Sequence, residues 1–153
     1  MNIEIERKFL IKCIPSDINN SMHIIQYYIH IDENFVQRLR LFNNKKSILS
    51  IKQNCEGISR YEFEYEIPIN DAKKIISMGN YKHTEKNRHI ILCNSYKWEI
   101  DEFLGENKGL VIAEVELESE NDDITLPKWI GQEVTNQNKY FNYNLATKPY
   151  ISW

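Results

Sequence analysis

Charged side chains recur at alternate positions along most of this chain, and their types point to one chemistry. Glu4, Glu6 and Lys8 fall on one face of an extended segment. Arg38 and Arg40 share another, and Lys52 follows. Arg60, Glu62, Glu64 and Glu66 alternate with Tyr61, Phe63, Tyr65 and Ile67. Lys86 with Arg88, Lys97 with Glu99 and Asp101, and Glu114 with Glu116 and Glu118 repeat the pattern. Arginine forks grip phosphate oxygens in pairs, and lysines meet them as point charges. Carboxylates repel phosphate, so their presence beside the basic set implies an intervening cation. Oxygen-only donors favour Mg²⁺ or Mn²⁺ over zinc. An oligophosphate carrying a divalent metal satisfies both sets at once.

Other chemistries lack their signatures. His23, His30, His83 and His89 have no ligand-like spacing and read as structural or surface groups. The chain has no G-x-x-x-x-G-K-[ST] loop, G-x-G-x-x-G turn or G-x-S-x-G elbow. A phosphate site must therefore be built from side chains. Hydrolysis by metal and positive charge, without a covalent intermediate, is the economical mechanism.

The elements that would carry these residues are strands. Period-two alternation predicts strands over residues 2–12, 22–31, 35–42, 47–53, 59–68, 82–92, 96–103 and 110–119. Asn43-Asn44-Lys45 predicts a hairpin turn, and Glu56-Gly57 another. Asn70 is expected to cap a short helix over 71–78 that Gly79 stops. Pro127 and Trp129 are expected to open a helical turn ending near Gly131. A last helical piece is expected over 136–147, stopped by Pro149. The sum is a mainly β (α+β) single domain over residues 1–153, an antiparallel barrel or closed sheet with a few short helices outside.

One charged strand face is ordinarily a solvated face. Recurrence on seven segments favours a different arrangement, in which apolar faces pack outward under helices and loops and charged faces line a lumen. Such a lining is costly unless its charges are paired or meet a ligand.

Composition narrows the class. With 42% hydrophobic and 27% charged residues the chain reads as globular, and a net charge of -3 argues against a general nucleic-acid binder. Cys13, Cys55 and Cys93 are odd in number and widely spaced, as for reduced thiols. No apolar run is long enough to span a bilayer. Glu4 and Glu6 precede any apolar run, so no signal peptide is expected and a cytoplasmic location follows.

Taken together, Glu4-x-Glu6-x-Lys8, Arg38-x-Arg40, Lys52, Glu62-x-Glu64, Lys86-x-Arg88, Glu99-x-Asp101 and Glu114-x-Glu116 resemble, in order, the motifs of the CYTH superfamily, the triphosphate tunnel metalloenzymes. The ending Lys139-Tyr140-Phe141-Asn142 is also similar to that of short bacterial members. The resemblance implies an eight-stranded antiparallel β-tunnel that needs Mg²⁺ or Mn²⁺ and takes linear triphosphates. Short members of this kind most resemble inorganic triphosphatases.

By this resemblance Glu4, Glu6 and Glu116 would hold the metal that touches substrate. Glu62, Glu64, Asp101 and Glu114 would hold a second metal or the attacking water. Lys8, Arg38, Arg40, Lys52 and Arg88 would grip phosphates. Lys86 would act with Tyr28 in catalysis, with Tyr27 the alternative if the register differs. Lys139 stands where the family often has arginine, keeping the charge for a phosphate contact. A nucleoside or thiamine triphosphatase, a class IV-type adenylate cyclase and a non-catalytic polyphosphate-binding module are the alternatives. A monomer or homodimer is expected, with a small-molecule triphosphate as its only partner and neither nucleic acid nor membrane.

Overall fold

The computed structural model describes residues 2–18, 21–55 and 57–153. Nine strands run in order: β1 (Ile3–Ile11), β2 (Ser21–Ile31), β3 (Phe35–Phe42), β4 (Lys46–Gln53), β5 (Ser59–Ile67), β6 (His83–Cys93), β7 (Tyr96–Phe103), β8 (Val111–Glu116) and β9 (Ile130–Glu133). They pair antiparallel as β5-β4-β3-β2-β6-β7-β8-β1, and β5 pairs again with β1 to close an eight-stranded barrel. On one edge β1 follows β8. On its other edge it gives its first residues to β5 and its last to β9.

Tight turns set the register. Asn43 and Asn44 take φ of 48° and 55° between β3 and β4, and Lys45 N–H closes onto Phe42 O at 2.9 Å. Asn94 and Ser95 do the same between β6 and β7, at 52° and 67°. Positive φ at both central residues matches the right-handed twist of the flanking strands. The expected Glu56-Gly57 turn includes Glu56, which lies outside the described residues.

The outward faces carry most of the core. Phe9, Trp98, Ile100, Ala113 and Val115 of β1, β7 and β8 are buried under Leu117, Ile124 and Ile130 of the following segment. Trp129 meets Trp98 edge-on, with centroids 5.5 Å apart. Leu39 and Leu41 pack under Ala72, Ile75 and Ile76 of helix α1 (Ile69–Ser77). The outer face of β5 departs from the expected covering: Tyr61 and Tyr65 remain 51% and 55% exposed.

Three boundaries differ from the sequence expectation. α1 starts after Pro68 with no side-chain cap, because Pro68 in extended backbone presets the entry and Asn70 is already inside the helix. The expected turn at 127–131 instead leads into β9, since the unused edge of β1 offers backbone partners there. Gly131 suits that approach: a Cβ would sit 3.0 Å from Leu10 O. The expected helix over 136–147 is a 3₁₀ turn (Asn138–Tyr140) followed by a short α2 (Asn142–Thr147).

None of the described helices is long and apolar enough to cross a membrane. The three cysteines are unpaired with one another.

Candidate active site

Residues directly opposite each other on paired strands share a face. The register therefore assembles the lumen from sequence. Glu6 faces Glu116 and Lys8 faces Glu114 across β1 and β8. Glu4 faces Arg60 across β1 and β5. Lys52 faces Glu62, while Arg38 and Arg40 face Tyr28 and Gln26. Arg88 faces Asp101, and Glu99 faces Glu114. Tyr27 points the other way and lies 5.2 Å from the His83 ring, so Tyr28 is the inward tyrosine.

The result is a cavity of about 430 Å³. Its lining brings together Glu4, Glu6, Lys8, Arg38, Arg40, Lys52, Glu62, Glu64, Arg88, Glu114 and Glu116. Lys97, Glu99 and Asn142 complete it. Lys97 and Glu99 share a face with Asp101 in the alternation of β7 and are legible from it. Asn142 has no periodic signal, because α2 delivers it from outside the barrel.

Toward one end the inward faces turn apolar. Phe103 and Ile112 meet Val134, Tyr140 and Leu145 of the C-terminal segment, with Leu10 against them.

Most cations and carboxylates of the lumen are paired. Lys8 Nζ lies 2.7 Å from Glu6 and also binds Glu114. Arg38 holds Glu62 at 2.7 Å, Arg40 holds Glu64, and Lys52 holds Glu4. Arg88 grips Asp101 with two bonds of 2.7 Å, and reaches Glu99 and, at 3.1 Å, Glu114. Burial alone would lower the Lys8 and Arg38 pKa values, but neighbouring carboxylates outweigh it and raise both. Burial and repulsion from Arg38 instead bring Arg40 down to about 10, which marks a local surplus of positive charge.

Two residues stand apart from the cavity. Asp101 is fully enclosed, with both oxygens on Arg88 and one also on Lys86, so it anchors the two cations beneath the cavity and does not line it. Lys139 lies outside, over the Tyr140 and Trp153 rings at 5.0 and 4.5 Å.

Lys86 and Tyr28 are not brought together. Lys86 sits opposite Ile24, four residues from Tyr28 on β2. Tyr28 accepts a 2.7 Å bond from Gln26 Nε2, and burial, against the pull of Arg38 and Lys8, raises its pKa and keeps it protonated. Lys86 is 1% exposed, and Asn142, itself in the cavity lining, lies 3.4 Å from its Nζ.

Burial, only partly offset by Asp101 and reinforced by Arg88, brings Lys86 down from 10.5 to about 8. A depressed ammonium binds its proton less well folded than unfolded. Its contribution to stability is therefore greatest above 10.5 and is lost as pH falls through about 8. Lys86→Met is expected to raise the melting temperature at pH 7, with the gain shrinking toward pH 10. A mutant lower than wild type by the same amount at both pH values would refute this.

The donor set fits a divalent cation. Glu4 and Glu6 bring largely buried carboxylate oxygens to the lumen, each now held by an ammonium that a divalent cation could replace. Burial, followed by repulsion from Glu4, Glu6 and Glu99, raises the Glu116 pKa against the pull of Lys97. That is the response of a carboxylate in excess negative charge, which a cation relieves. No three His, Cys, Asp or Glu side chains among the described residues already converge as a metal cluster. Glu4 and Glu6 are turned toward Lys52 and Lys8.

The closed barrel and its charged lumen agree with the tunnel expected from the sequence, and the chain belongs to the CYTH domain family, whose profile matches residues 2–150. It is 43% identical over 152 residues to an inorganic triphosphatase of Acetivibrio thermocellus, covering 98% of this chain and 97% of that protein. An inorganic triphosphatase of Nitrosomonas europaea is 30% identical over 146 residues, covering 94% of this chain and 96% of that one. The solved structure of the inorganic triphosphatase NE1496 superposes with a TM-score of 0.68 at 28% identity, covering 94% of this chain and 93% of its own.

Proposed function

We propose that this protein is a metal-dependent inorganic triphosphatase, converting tripolyphosphate and water to pyrophosphate and orthophosphate. The observation that carries the reading is the charge balance of the lumen. The cavity is lined by Lys8, Arg38, Arg40, Lys52, Arg88 and Lys97 against seven glutamates. Such a lining offers a naked polyanion no net attraction. With a divalent cation added, the balance turns positive and the arginine forks become available to phosphate oxygens.

Glu4, Glu6 and Glu116 would hold that cation, with Mg²⁺ or Mn²⁺ suited to their oxygens. When bound, it would polarise a phosphoryl oxygen. Lys8, Arg38, Arg40, Lys52 and Arg88 would exchange their carboxylate partners for the phosphates and hold the chain in line for attack. Glu62, Glu64 and Glu114 would then be free carboxylates, able to orient the attacking water or a second metal. Water attacks the terminal phosphorus and the bridging P–O bond breaks, with pyrophosphate leaving. Lys86, brought down to about 8 and beside Asn142 of the cavity lining, is the candidate to hold or release a proton there.

The reading is tested by phosphate release from tripolyphosphate, ATP, GTP, thiamine triphosphate and longer polyphosphate, each with Mg²⁺ or Mn²⁺. Tripolyphosphate is expected to be the best substrate, with no turnover in chelator. Preferred release of ADP or cyclic AMP from ATP would replace this reading with a nucleotide-directed one. Binding without turnover would leave a polyphosphate-binding module.

A further inference from the structure

Arg60 is not among the residues that the sequence pattern assigns to substrate, yet it lies inside the barrel. It faces Glu4 across the β1–β5 pair, and shares a strand face with Glu62 and Glu64. Lys8, Arg38, Arg40, Lys52, Lys86 and Arg88 each have a carboxylate within hydrogen-bonding reach. Arg60 has no such partner among the described residues, and its Nε is buried without a hydrogen-bond acceptor. One face of its guanidinium rests on the Phe141 ring, 5.6 Å from the centroid, which fixes the plane of the fork.

That fork borders a side cavity of about 40 Å³ with Tyr28, Asn54, Phe141 and Tyr143. Glu6, Lys8, Arg38, Lys52 and Asn142 line both this space and the main cavity, so the two are adjacent. A space of about 40 Å³ has room for a few waters. It therefore suits one phosphoryl group. Asn54, Asn142 and Tyr28 are among its polar lining.

We propose that Arg60 forms a terminal-phosphate subsite, a specificity-determining contact for the outermost phosphoryl group of a linear triphosphate. The inference rests on the triphosphatase reading above. Other lumen cations must release a carboxylate before they take a phosphate; Arg60 releases nothing. It thereby distinguishes a three-phosphate chain from a two-phosphate one: pyrophosphate seated on Arg40 and Arg88, which line the main cavity alone, leaves the side cavity to the third phosphoryl group of the longer chain.

The test compares wild type, Arg60→Met and Arg60→Lys. Methionine keeps apolar contact with Phe141, and lysine keeps the charge without the fork. Arg60→Met is expected to raise KM for tripolyphosphate by about 10- to 100-fold, the range for losing a charge-assisted bond, with the loss falling on KM and not on kcat. The inhibition constant of pyrophosphate should move by no more than about twofold, and Arg60→Lys should recover part of the loss. Equal weakening of tripolyphosphate and pyrophosphate, or no change in either, overturns the subsite. A wild-type protein inert toward tripolyphosphate overturns the functional reading itself. An active wild type with an indifferent Arg60→Met overturns the subsite alone.

Discussion

Glu6→Gln is expected to lower phosphate release from tripolyphosphate by about a thousandfold. The substitution keeps size and hydrogen-bonding reach and removes only the charge. Lys8 retains Glu114, so the lining remains paired and the fold should hold. What is lost is one of the three carboxylates proposed to hold the cation, and metal catalysis of phosphoryl transfer is worth several kcal/mol, roughly two to three powers of ten. The effect should be visible without turnover as well. In wild type, Mn²⁺ with tripolyphosphate is expected to raise the melting temperature, since a ligand of the folded state stabilises it. In Glu6→Gln that increment should largely vanish. A mutant with full activity and an intact Mn²⁺ increment would remove Glu6 from the metal site.

Asp101→Asn is expected to be the most damaging conservative change to stability. Asp101 is fully buried between Lys86 and Arg88, and burial alone would raise its pKa. The two cations outweigh that and hold it ionised. An amide in its place leaves the buried Lys86 without its carboxylate and Arg88 with only Glu99 and Glu114. Removing one partner of a buried ion pair costs about 3–5 kcal/mol. For a chain of this size that corresponds to a fall in melting temperature on the order of 10 °C. Adding Lys86→Met to Asp101→Asn should restore part of the loss, because one stranded charge is gone. A single mutant melting within about a degree of wild type would show that Glu99 and Glu114 suffice to hold Arg88.

Much of this arrangement is legible in the sequence because strand side chains alternate with a period of two. Glu62 and Glu64 against Phe63 and Tyr65 declare a face by their spacing alone, and the same holds for Arg38 and Arg40. The alternation does not say which faces are covered. Tyr61 and Tyr65 look like core in sequence but stand exposed on the outer face of β5. β9 escapes because four residues containing a glycine carry too little pattern, and its formation depends on a free edge elsewhere.

Depth along the lumen is equally hidden. Asp101 and Glu99 are two residues apart on one face, yet one is sealed beneath Arg88 while the other reaches the cavity. Lys139 carries the charge expected near a phosphate, but its position is decided by the Tyr140 and Trp153 rings that hold it outside. Arg60 is visible on the right face, and what marks it is the lack of a partner, which only the packed lumen reveals.

The divided edge of β1 bears on how the molecule comes into being. Lys8 meets Glu114 across 106 residues, and Arg7 meets Glu133 across 126. β1 thus depends on partners far along the chain. Hairpins from β2 to β5 and from β6 to β8 form between neighbours in sequence, but β1 waits for all of them. Contacts of such long separation make folding slow, because loop-closure entropy must be met before they form. Until β1 docks, the lumen has no wall at Glu4, Glu6 and Lys8. Closure of the lumen is therefore tied to long-range pairing, and a chain that ends before β8 cannot assemble it.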